Sequence, residues 1–301
     1  MEKEIDSFKS GFAALVGRTN VGKSTLLNRM IGRKIAIMSE KVQTTRNRIL
    51  CVLTGKEYQI IFLDTPGIHK PKHKLGERLV QVALNTLNEV DIVLFLVEAN
   101  QRPGPGDNYL IRQFADLSTP VALVINKIDL VKREELLPLI ESYSRLYSFS
   151  EIIPVSALSG ENTGHLLEVT ISYLPAGPKY YPDDMVTDRP EEFILAELIR
   201  EKVLSHTEQE VPHSVAVVIE EIQERPNNVM AIRAVIYAER ETQKGILIGK
   251  GGQMLKKIGS QARADMEKLL GSKIYLEIRV KTKPDWRNKE AQLKNLGYYE
   301  T

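Results

Sequence analysis

The sequence predicts an α/β domain built on a mostly parallel sheet of six strands, followed by a smaller α+β domain. Three observations support this prediction. Apolar runs alternate with segments of helical periodicity over residues 1–175, which is the pattern of an α/β fold. Four prolines within residues 174–190 then interrupt the alternation. The remaining residues show another order, in which a helix, two strands, two helices and a last strand follow one another.

Six apolar runs mark the strands of the first domain. Several are nearly continuous, as expected for parallel strands covered on both faces. The runs are residues 12–16, 49–53, 59–63, 92–97, 121–125 and 152–155. Helices are predicted between them, at residues 25–30, 74–88, 106–117, 133–146 and 164–173. This order predicts a sheet with helices on both sides.

The segment LPAGPKYYPDDMVTDRP separates the two domains. Proline fixes φ and donates no backbone hydrogen bond, so regular structure is not expected there. We therefore predict a first domain at residues 1–175, a linker at 176–190 that lets the domains reorient, and a second domain at 191–301. In the second domain, helices are predicted at 191–205, 241–248 and 253–270, strands at 213–223, 229–239 and 273–280, and a helical tail at 285–296.

The composition favours an ordinary globular protein of the cytosol. Apolar residues make up 43% and charged residues 27% of the chain. No apolar stretch approaches the ~20 residues that span a bilayer, and the charged first ten residues lack the apolar core of a signal peptide. The single cysteine, Cys51, argues against an internal disulfide and a cysteine-based zinc site.

The net charge of +2 hides an uneven distribution. Residues 1–188 hold 22 basic and 22 acidic residues, whereas residues 244–301 hold 13 basic and 6 acidic residues. A basic final segment suits a phosphate-rich partner such as a nucleic acid. A solvated face that keeps the protein soluble would give the same count, so charge alone leaves both interpretations open.

A phosphate-binding loop is predicted at residues 17–24, GRTNVGKS, which fit G-x-x-x-x-G-K-[ST] between a predicted strand and a predicted helix. Glycines let successive N–H groups face phosphate, and the helix N-terminus adds partial positive charge. We expect Lys23 to reach the β- and γ-phosphates and the Ser24 hydroxyl to bind Mg²⁺. The predicted nucleotide-binding residues here are Gly17, Arg18, Thr19, Asn20, Val21, Gly22, Lys23, Ser24 and Thr25.

A second motif, Asp64-Thr65-Pro66-Gly67, follows the apolar run 59–63. An aspartate at the end of a strand can hold Mg²⁺ through water, so Asp64 is the predicted partner of Ser24. The N–H of Gly67 can bond a γ-phosphate, which would make the following segment a sensor of that phosphate.

A third motif, Asn126-Lys127-Ile128-Asp129, indicates which base is bound. A carboxylate accepts hydrogen bonds from guanine N1–H and the exocyclic amino group, and adenine lacks both donors in that arrangement. Asp129 is the predicted base reader, Asn126 is expected to tie the loops together, and the Lys127 stem is expected to cover the base. The segment Ser156-Ala157-Leu158 follows the last strand and offers a backbone N–H to guanine O6.

Hydrolysis of the nucleotide needs one further Mg²⁺ ligand, a threonine between Ile31 and Arg48. The segment QTTR, residues 43–46, offers two. We favour Thr45 because a related class of GTPases has a threonine directly before an arginine there, while Thr44 and a solvent-facing role for either threonine stay open. The predicted catalytic residues are Lys23, Thr45 and Gly67.

With GRTNVGKS, QTTR, DTPG, NKID and SAL in this order, the sequence resembles the Era family of bacterial GTPases. Its C-terminal half resembles a type II KH domain. The defining piece is a G-x-x-G loop, residues 249–252, between two predicted helices in the order α-β-β-α-α-β. The resemblance implies an α/β P-loop NTPase G domain followed by an α+β type II KH domain, and it covers nearly the whole chain.

The resemblance also implies a function. It implies a GTPase that binds GTP or GDP with Mg²⁺, binds single-stranded RNA at the 3′ end of small-subunit ribosomal RNA, and acts in assembly and maturation of the small ribosomal subunit. It further implies a peripheral contact with the inner face of the cell membrane, for which the sequence offers no anchor. We expect a monomer and no DNA partner.

The RNA site has its own physical basis. A glycine-rich loop lets a nucleotide backbone approach closely, and neighbouring apolar side chains receive bases. The predicted RNA-binding residues are Ile248, Gly249, Lys250, Gly251, Gly252, Lys256, Lys257 and Arg263.

The residue after Gly67 bears on the rate of hydrolysis. Some GTPases place there a glutamine that orients water, whereas this chain has Ile68, so we predict slow intrinsic hydrolysis. Asn20 suggests a further hypothesis, since related GTPases with asparagine at that position use K⁺ to neutralise transition-state charge. Replacing potassium with sodium would then slow hydrolysis, and equal rates would refute the hypothesis.

Three interpretations of the function are therefore open. The leading one is a switch whose nucleotide state controls RNA binding. The alternatives are a constitutive RNA-binding scaffold stabilised by nucleotide, and a membrane-surface GTPase with a basic tail. Against the last, no amphipathic helix with a clear aromatic or leucine face accompanies the basic charge. Trp286 beside basic residues could be interfacial, but such a tryptophan more often packs a terminal helix onto its own domain.

Overall fold

The computed structural model describes residues 8–33, 35, 46, 48–67 and 73–298. These residues form two compact units, one lying largely before residue 188 and the other from residue 189 onward. The assignment of residues 176–190 as a linker stays a prediction. No helix within the described ranges is long and apolar enough to cross a membrane.

The first unit contains a six-stranded sheet and five α-helices within the described residues. The strands are β1 (Lys9–Gly17), β2 (Ile49–Thr54), β3 (Tyr58–Asp64), β4 (Ile92–Glu98), β5 (Val121–Asn126) and β6 (Glu151–Pro154). The helices are α1 (Lys23–Ile31), α2 (Lys74–Asn85), α3 (Pro105–Phe114), α4 (Arg133–Ser144) and α5 (Thr163–Tyr173). Short 3₁₀ turns follow at Thr86–Asn88 and Ile128–Leu130.

The strand order is β2-β3-β1-β4-β5-β6, with β2 antiparallel to β3 and all other neighbours parallel. The predicted mostly parallel sheet of six strands is therefore confirmed. Every residue of β4 is buried, which explains why its sequence is a continuous apolar run rather than an alternating one. Because the parallel strands end at one edge of the sheet, the loops after β1, β3 and β5 come together there.

The proline-containing segment after α5 lies against the first unit through Gln59 of β3, which is fully buried. The side-chain oxygen of Gln59 accepts hydrogen bonds from the backbone N–H groups of Tyr180 (2.7 Å) and Tyr181 (2.9 Å). Its side-chain nitrogen donates to the Tyr181 carbonyl at 2.8 Å. One buried amide therefore satisfies three backbone groups of a segment that forms no helix of its own.

The same segment continues along the edge strand β2. The backbone N–H of Val52 donates to the carbonyl of Val186 at 2.9 Å, and the Thr187 hydroxyl donates to the carbonyl of Leu50 at 2.7 Å. An edge strand has unpaired backbone groups, and this segment satisfies part of them. Up to Thr187 the segment is thus attached to the sheet, although its prolines exclude regular structure.

The second unit contains the predicted order α-β-β-α-α-β. Its elements are α6 (Glu191–His206), β7 (Ala216–Arg225), β8 (Val229–Ala238), α7 (Glu241–Ile248), α8 (Gln253–Leu270), β9 (Lys273–Thr282) and α9 (Glu290–Asn295), with 3₁₀ turns at Lys250–Gly252 and Trp286–Asn288. β7 and β8 are antiparallel, and β8 and β9 are parallel.

Two helices supply most of the core that covers this sheet. Leu195, Ile199 and Val203 repeat every four residues on α6, and Ile258 and Ala262 repeat in the same way on α8. These side chains form one apolar cluster with residues of β8 and β9. α8 buries this one face, whereas α6 is buried on further sides, at Arg200 and Glu201 among others.

The tail of the second unit is fixed by Trp286, which is fully buried. Its indole N–H donates to the Ser214 carbonyl at 3.0 Å, and its ring stacks on Tyr298 with centroids 5.5 Å apart. Trp286 therefore packs the tail onto its own domain, in agreement with the structural interpretation and against the interfacial one.

Candidate functional sites

The nucleotide site begins where β1 ends at Gly17 and α1 begins at Lys23. The ammonium group of Lys23 donates to the carbonyls of Gly17 (3.1 Å) and Arg18 (2.9 Å) across the loop. Burial lowers the pKa of Lys23 to about 8, although the Asp64 carboxylate acts in the opposite direction. An arriving phosphate would favour the charged form, so the site is prepared for an anion.

The predicted Mg²⁺ ligands lie side by side. The Ser24 hydroxyl donates to the Asp64 carboxylate at 3.0 Å, and both side chains are buried. The described residues contain no cluster of three or more His, Cys, Asp or Glu side chains that could hold a metal. One hydroxyl and one carboxylate suit Mg²⁺ nevertheless, because this ion keeps several waters and shares phosphate oxygens. Thr44 and Thr45 lie outside the described residues.

The loop after β3 lies directly against the phosphate-binding loop. A Cβ on Gly67 would come within 2.7 Å of the Thr19 Cα, so this approach requires glycine. The Thr65 hydroxyl donates to the Leu15 carbonyl at 2.7 Å and fixes the start of this loop to β1. Gly67 therefore lies beside the phosphate-binding loop, where the motif predicts it. Ile68, the next residue, lies outside the described residues.

Asn126 connects three loops. Its side-chain nitrogen donates to the Val21 carbonyl at 2.8 Å, and its side-chain oxygen accepts from the Ala157 N–H at 2.9 Å. The side chain is only 1% exposed, so both bonds are protected from water. The phosphate loop, the NKID loop and the SAL loop are thus held in a fixed arrangement.

The predicted base reader, Asp129, has an exposed carboxylate that accepts a hydrogen bond from the Ser156 hydroxyl. A base that covers this carboxylate without donating hydrogen bonds to it would leave a buried charge unpaired. The loss of affinity for a wrong base therefore depends on how far the base itself buries Asp129. Lys127 has a left-handed backbone, with φ of 66°. Its ammonium group pairs with the Glu98 carboxylate.

Sequence reasoning missed several side chains around this site. Arg29 of α1 donates to the carbonyls of Ala157, at 3.2 Å, and Leu158, and so fixes the SAL loop. Nothing in the sequence singled out Arg29. Glu98 had a usable signal, because it is an acidic residue at the carboxyl end of a parallel strand, where ligand sites form.

The second candidate site begins at the G-x-x-G turn between α7 and α8. Gly249 has φ of 71° and ψ of 175°, and a Cβ there would come within 2.7 Å of the Met254 Cβ. This position therefore requires glycine. Lys250 follows in the turn and is exposed.

A groove of about 440 Å³ lies between α8 and β9. It is lined from the turn and α8 by Gly252, Leu255, Lys256, Gly259, Ser260 and Arg263, and from β9 by Ile274, Tyr275, Leu276 and Ile278. We call the half-buried residues Leu255, Gly259, Leu276 and Ile278 its floor, and the exposed basic residues Lys256 and Arg263 its rim. Such a surface can take bases on the floor and phosphates at the rim.

Part of the predicted RNA-binding set lines this groove. Gly252, Lys256 and Arg263 do so, whereas Ile248, Lys250 and the other predicted residues of the set lie outside its lining. The prediction missed Gly259, whose signal was available, because a glycine inside an amphipathic helix often marks a close approach.

Comparison with known proteins agrees with both halves of the chain. A family model described as 50S ribosome-binding GTPase matches residues 12–127, and one described as KH domain matches residues 210–287. GTPase Era of Alkaliphilus oremlandii (strain OhILAs) is 56% identical over 293 residues, which cover 97% of this chain and 99% of that protein. The chain belongs to the Era family of GTPases. The resemblance seen in the motifs is thereby confirmed.

Two solved Era structures match over the same extent. One is Era in complex with MgGDPNP and nucleotides 1506–1542 of 16S ribosomal RNA, with a TM-score of 0.94 and 43% identity over 97% of this chain and all of that chain. The other is an Aquifex aeolicus Era variant bound to GDP and AlF₄⁻, with the same TM-score, identity and coverage. The P-loop G domain followed by a KH domain is therefore the fold of this chain.

Proposed function

We propose that this GTPase binds and slowly hydrolyses GTP and uses its nucleotide state to control binding of single-stranded RNA at the 3′ end of small-subunit ribosomal RNA. The process served is assembly and maturation of the small ribosomal subunit. The observation that carries the proposal is that one chain holds two sites. In the first, Asn126 ties the phosphate and base loops together, and the second is a groove with an apolar floor and a basic rim.

The nucleotide roles follow from chemistry and position. Lys23 neutralises the β- and γ-phosphates, and Ser24 and Asp64 hold Mg²⁺, which supplies charge neutralisation at the phosphates. The Gly67 N–H meets the γ-phosphate, and Asp129 reads guanine. Thr45, or Thr44 in its place, completes the Mg²⁺ ligands, and K⁺ near Asn20 stays a hypothesis.

The RNA roles follow from the groove. Bases lie on the floor between α8 and β9, while Lys256 and Arg263 meet phosphates at the rim. Gly249 lets the RNA backbone approach the turn. The solved Era complex with a 16S ribosomal RNA fragment supports this class of ligand. A cytoplasmic location with peripheral membrane contact and a monomeric state belong to the proposal as predictions.

The test compares binding of a short single-stranded RNA with the sequence of the 3′ end of small-subunit ribosomal RNA in three states of the protein: with a GTP analogue, with GDP and without nucleotide. One salt concentration is used throughout. We expect tighter binding with the GTP analogue, by at least about fivefold, because coupling between sites is commonly of that size.

Lys256→Glu tests the groove, and Lys268→Glu is its control. Each variant reverses one charge on α8. Lys256 lines the groove and Lys268 does not, so only the first should weaken RNA binding strongly. Equal affinity in all three states would favour the constitutive scaffold. No RNA binding in any state would remove the role of the second domain from the proposal.

A further inference from the structure

A row of polar side chains connects the phosphate loop with the base loop by a route separate from Asn126. The guanidinium of Arg18 donates to the Asp107 carboxylate at 2.9 Å and to the Gln101 side-chain oxygen at 3.0 Å. The Gln101 amide nitrogen donates to one oxygen of Glu98 at 2.6 Å. Lys127 pairs with the other oxygen of Glu98. We call these five side chains the Arg18–Lys127 row.

Both acids of the row are anchored in rigid elements. Asp107 is fully buried in the first turn of α3, where its second oxygen accepts the Gly104 N–H at 2.8 Å. Glu98 is 8% exposed at the end of β4. A buried carboxylate without partners is strongly unfavourable, so both acids hold their cationic partners firmly. The row therefore differs from exposed surface ion pairs, which contribute little.

The stem of Arg18 is fixed by packing as well as by charge. A Cβ on Gly106 would come within 2.8 Å of the Arg18 Cδ, so the first turn of α3 lies directly on this side chain. The Arg18 guanidinium is thus committed to Asp107 and Gln101. The side chain of Arg18 thereby supports the backbone of the phosphate loop from the side. The carbonyl of the same residue accepts a hydrogen bond from Lys23.

We propose that Glu98 and Gln101 are positioning residues that hold the Lys127 side chain over the guanine base and connect it to the phosphate loop, so that they set the lifetime of the bound nucleotide. The inference rests on the proposed guanine-nucleotide site. Asn126 connects loop backbones, whereas the row fixes a side chain that contacts the ligand. If Lys127 became ordered only when the nucleotide binds, the loss of side-chain entropy would weaken nucleotide affinity by about tenfold. The row avoids this loss because it holds Lys127 in place before the nucleotide binds.

The experiment measures release of fluorescent GDP from the full chain after rapid mixing with excess GDP. Glu98→Gln removes the charge that holds Lys127 and keeps the shape of the side chain, so we expect release to accelerate about tenfold. Gln101→Ala cuts the row in its middle and should accelerate release less, by about threefold. The double variant should release GDP at nearly the rate of Glu98→Gln alone, because both changes break one connected unit.

A second readout and a control variant separate positioning from a merely structural role. Single-turnover hydrolysis of bound GTP should change far less than release, since Glu98 and Gln101 act on Lys127 at the base, while Lys23 keeps its own hydrogen bonds to the Gly17 and Arg18 carbonyls. Gln81→Ala is the matched control, because Gln81 is exposed on α2 and donates to Asn85 of the same helix at 2.6 Å. Its GDP release should match that of the unaltered protein.

The outcomes distinguish this inference from the function on which it rests. Unaltered release in Glu98→Gln, or multiplied effects in the double variant, would overturn the positioning role while the nucleotide site stands. An unaltered protein that fails to retain fluorescent GDP would overturn the proposed nucleotide site and the inference together.

Discussion

The nucleotide site and the RNA groove are organised differently. Around the nucleotide site, the polar side chains bond to one another and to the backbone of the loops. Asn126 ties three loops, Ser24 meets Asp64, and Ser156 meets Asp129. In the groove, the floor is apolar or small, and the basic side chain of Lys256 is exposed at the rim. One surface is fixed by internal hydrogen bonds, and the other is fixed by the packing beneath it.

The difference reflects the ligands that each surface suits. A nucleotide is compact, and a rigid polar frame recognises its few donors and acceptors without further ordering. A single strand of RNA is flexible. An apolar surface on which bases stack, with positive charge nearby for the phosphates, can bind it without fixing the position of each hydrogen-bonding group. Substitutions in the first site should therefore have large and chemically specific effects, and substitutions in the groove should act mainly through shape.

The largest effect is expected for Asp129→Asn. The amide presents a donor where guanine offers its own donors, so GTP affinity should fall by about 10⁴-fold. Xanthosine triphosphate carries a carbonyl in place of the exocyclic amino group and should bind this variant better than GTP does. Competition with a fluorescent nucleotide measures both affinities.

Asp116→Asn is the control, since Asp116 is an exposed aspartate before β5 and outside the site. It should bind GTP as the unaltered protein does. An Asp129→Asn protein that keeps its preference for GTP would show that another group reads the base.

A smaller effect is expected in the groove from Gly259→Leu. A Cβ at this position would lie 3.5 Å from the Ile278 Cδ1, an ordinary contact, so the first atom fits and the rest of a leucine would fill the groove. RNA affinity should fall more than about tenfold, because the floor would no longer admit a base. Thermal stability should not fall, since replacing glycine inside a helix favours the helix by up to about 1 kcal/mol.

Gly259→Ala separates the two effects. Its Cβ fits against Ile278, so RNA binding should persist while stability rises. RNA binding that survives Gly259→Leu would place the bases elsewhere on the second domain.

The same contrast explains what could be predicted from the sequence. The central strands were predictable because parallel strands buried on both faces give continuous apolar runs, as in β4. The motif residues were predictable because the chemistry of phosphate and guanine restricts residue type at fixed spacing. The groove was only partly predictable, because Gly259 and Ile278 belong to a helix and a strand whose contact is tertiary.

Contacts between distant residues that belong to no motif could not be predicted from one chain. The prolines correctly indicated that residues 174–190 form no helix or strand, yet Gln59 binds Tyr180 and Tyr181 from more than a hundred residues away. The pairing of Arg18 with Asp107 is of the same kind. Such polar contacts depend on which loops meet at the edge of the sheet, and no local pattern encodes that meeting.

The smallest effect expected is a pH dependence that only the buried site should show. In the ligand-free protein the pKa of Lys23 is about 8, against 10.5 for an ordinary lysine. The unfolded chain therefore binds more protons than the folded one between these values, and stability of the ligand-free protein should rise with pH across that window. Nucleotide affinity should change in the opposite direction, because phosphate favours charged Lys23. It should be nearly constant below about pH 7 and fall about fivefold between pH 8 and 9, with uptake of a proton on binding.

Calorimetry in two buffers of different ionisation enthalpy measures this proton directly, at a pH below that at which guanine N1 loses its own proton. RNA binding to the groove provides the internal comparison, because the rim lysine Lys256 is exposed whereas Lys23 is buried. Flat nucleotide affinity without proton uptake would mean that Lys23 is already charged in the ligand-free site. Lys23 would then be charged despite its burial, as exposed lysines are. The nucleotide site and the RNA groove would differ less in their electrostatics than their geometry indicates.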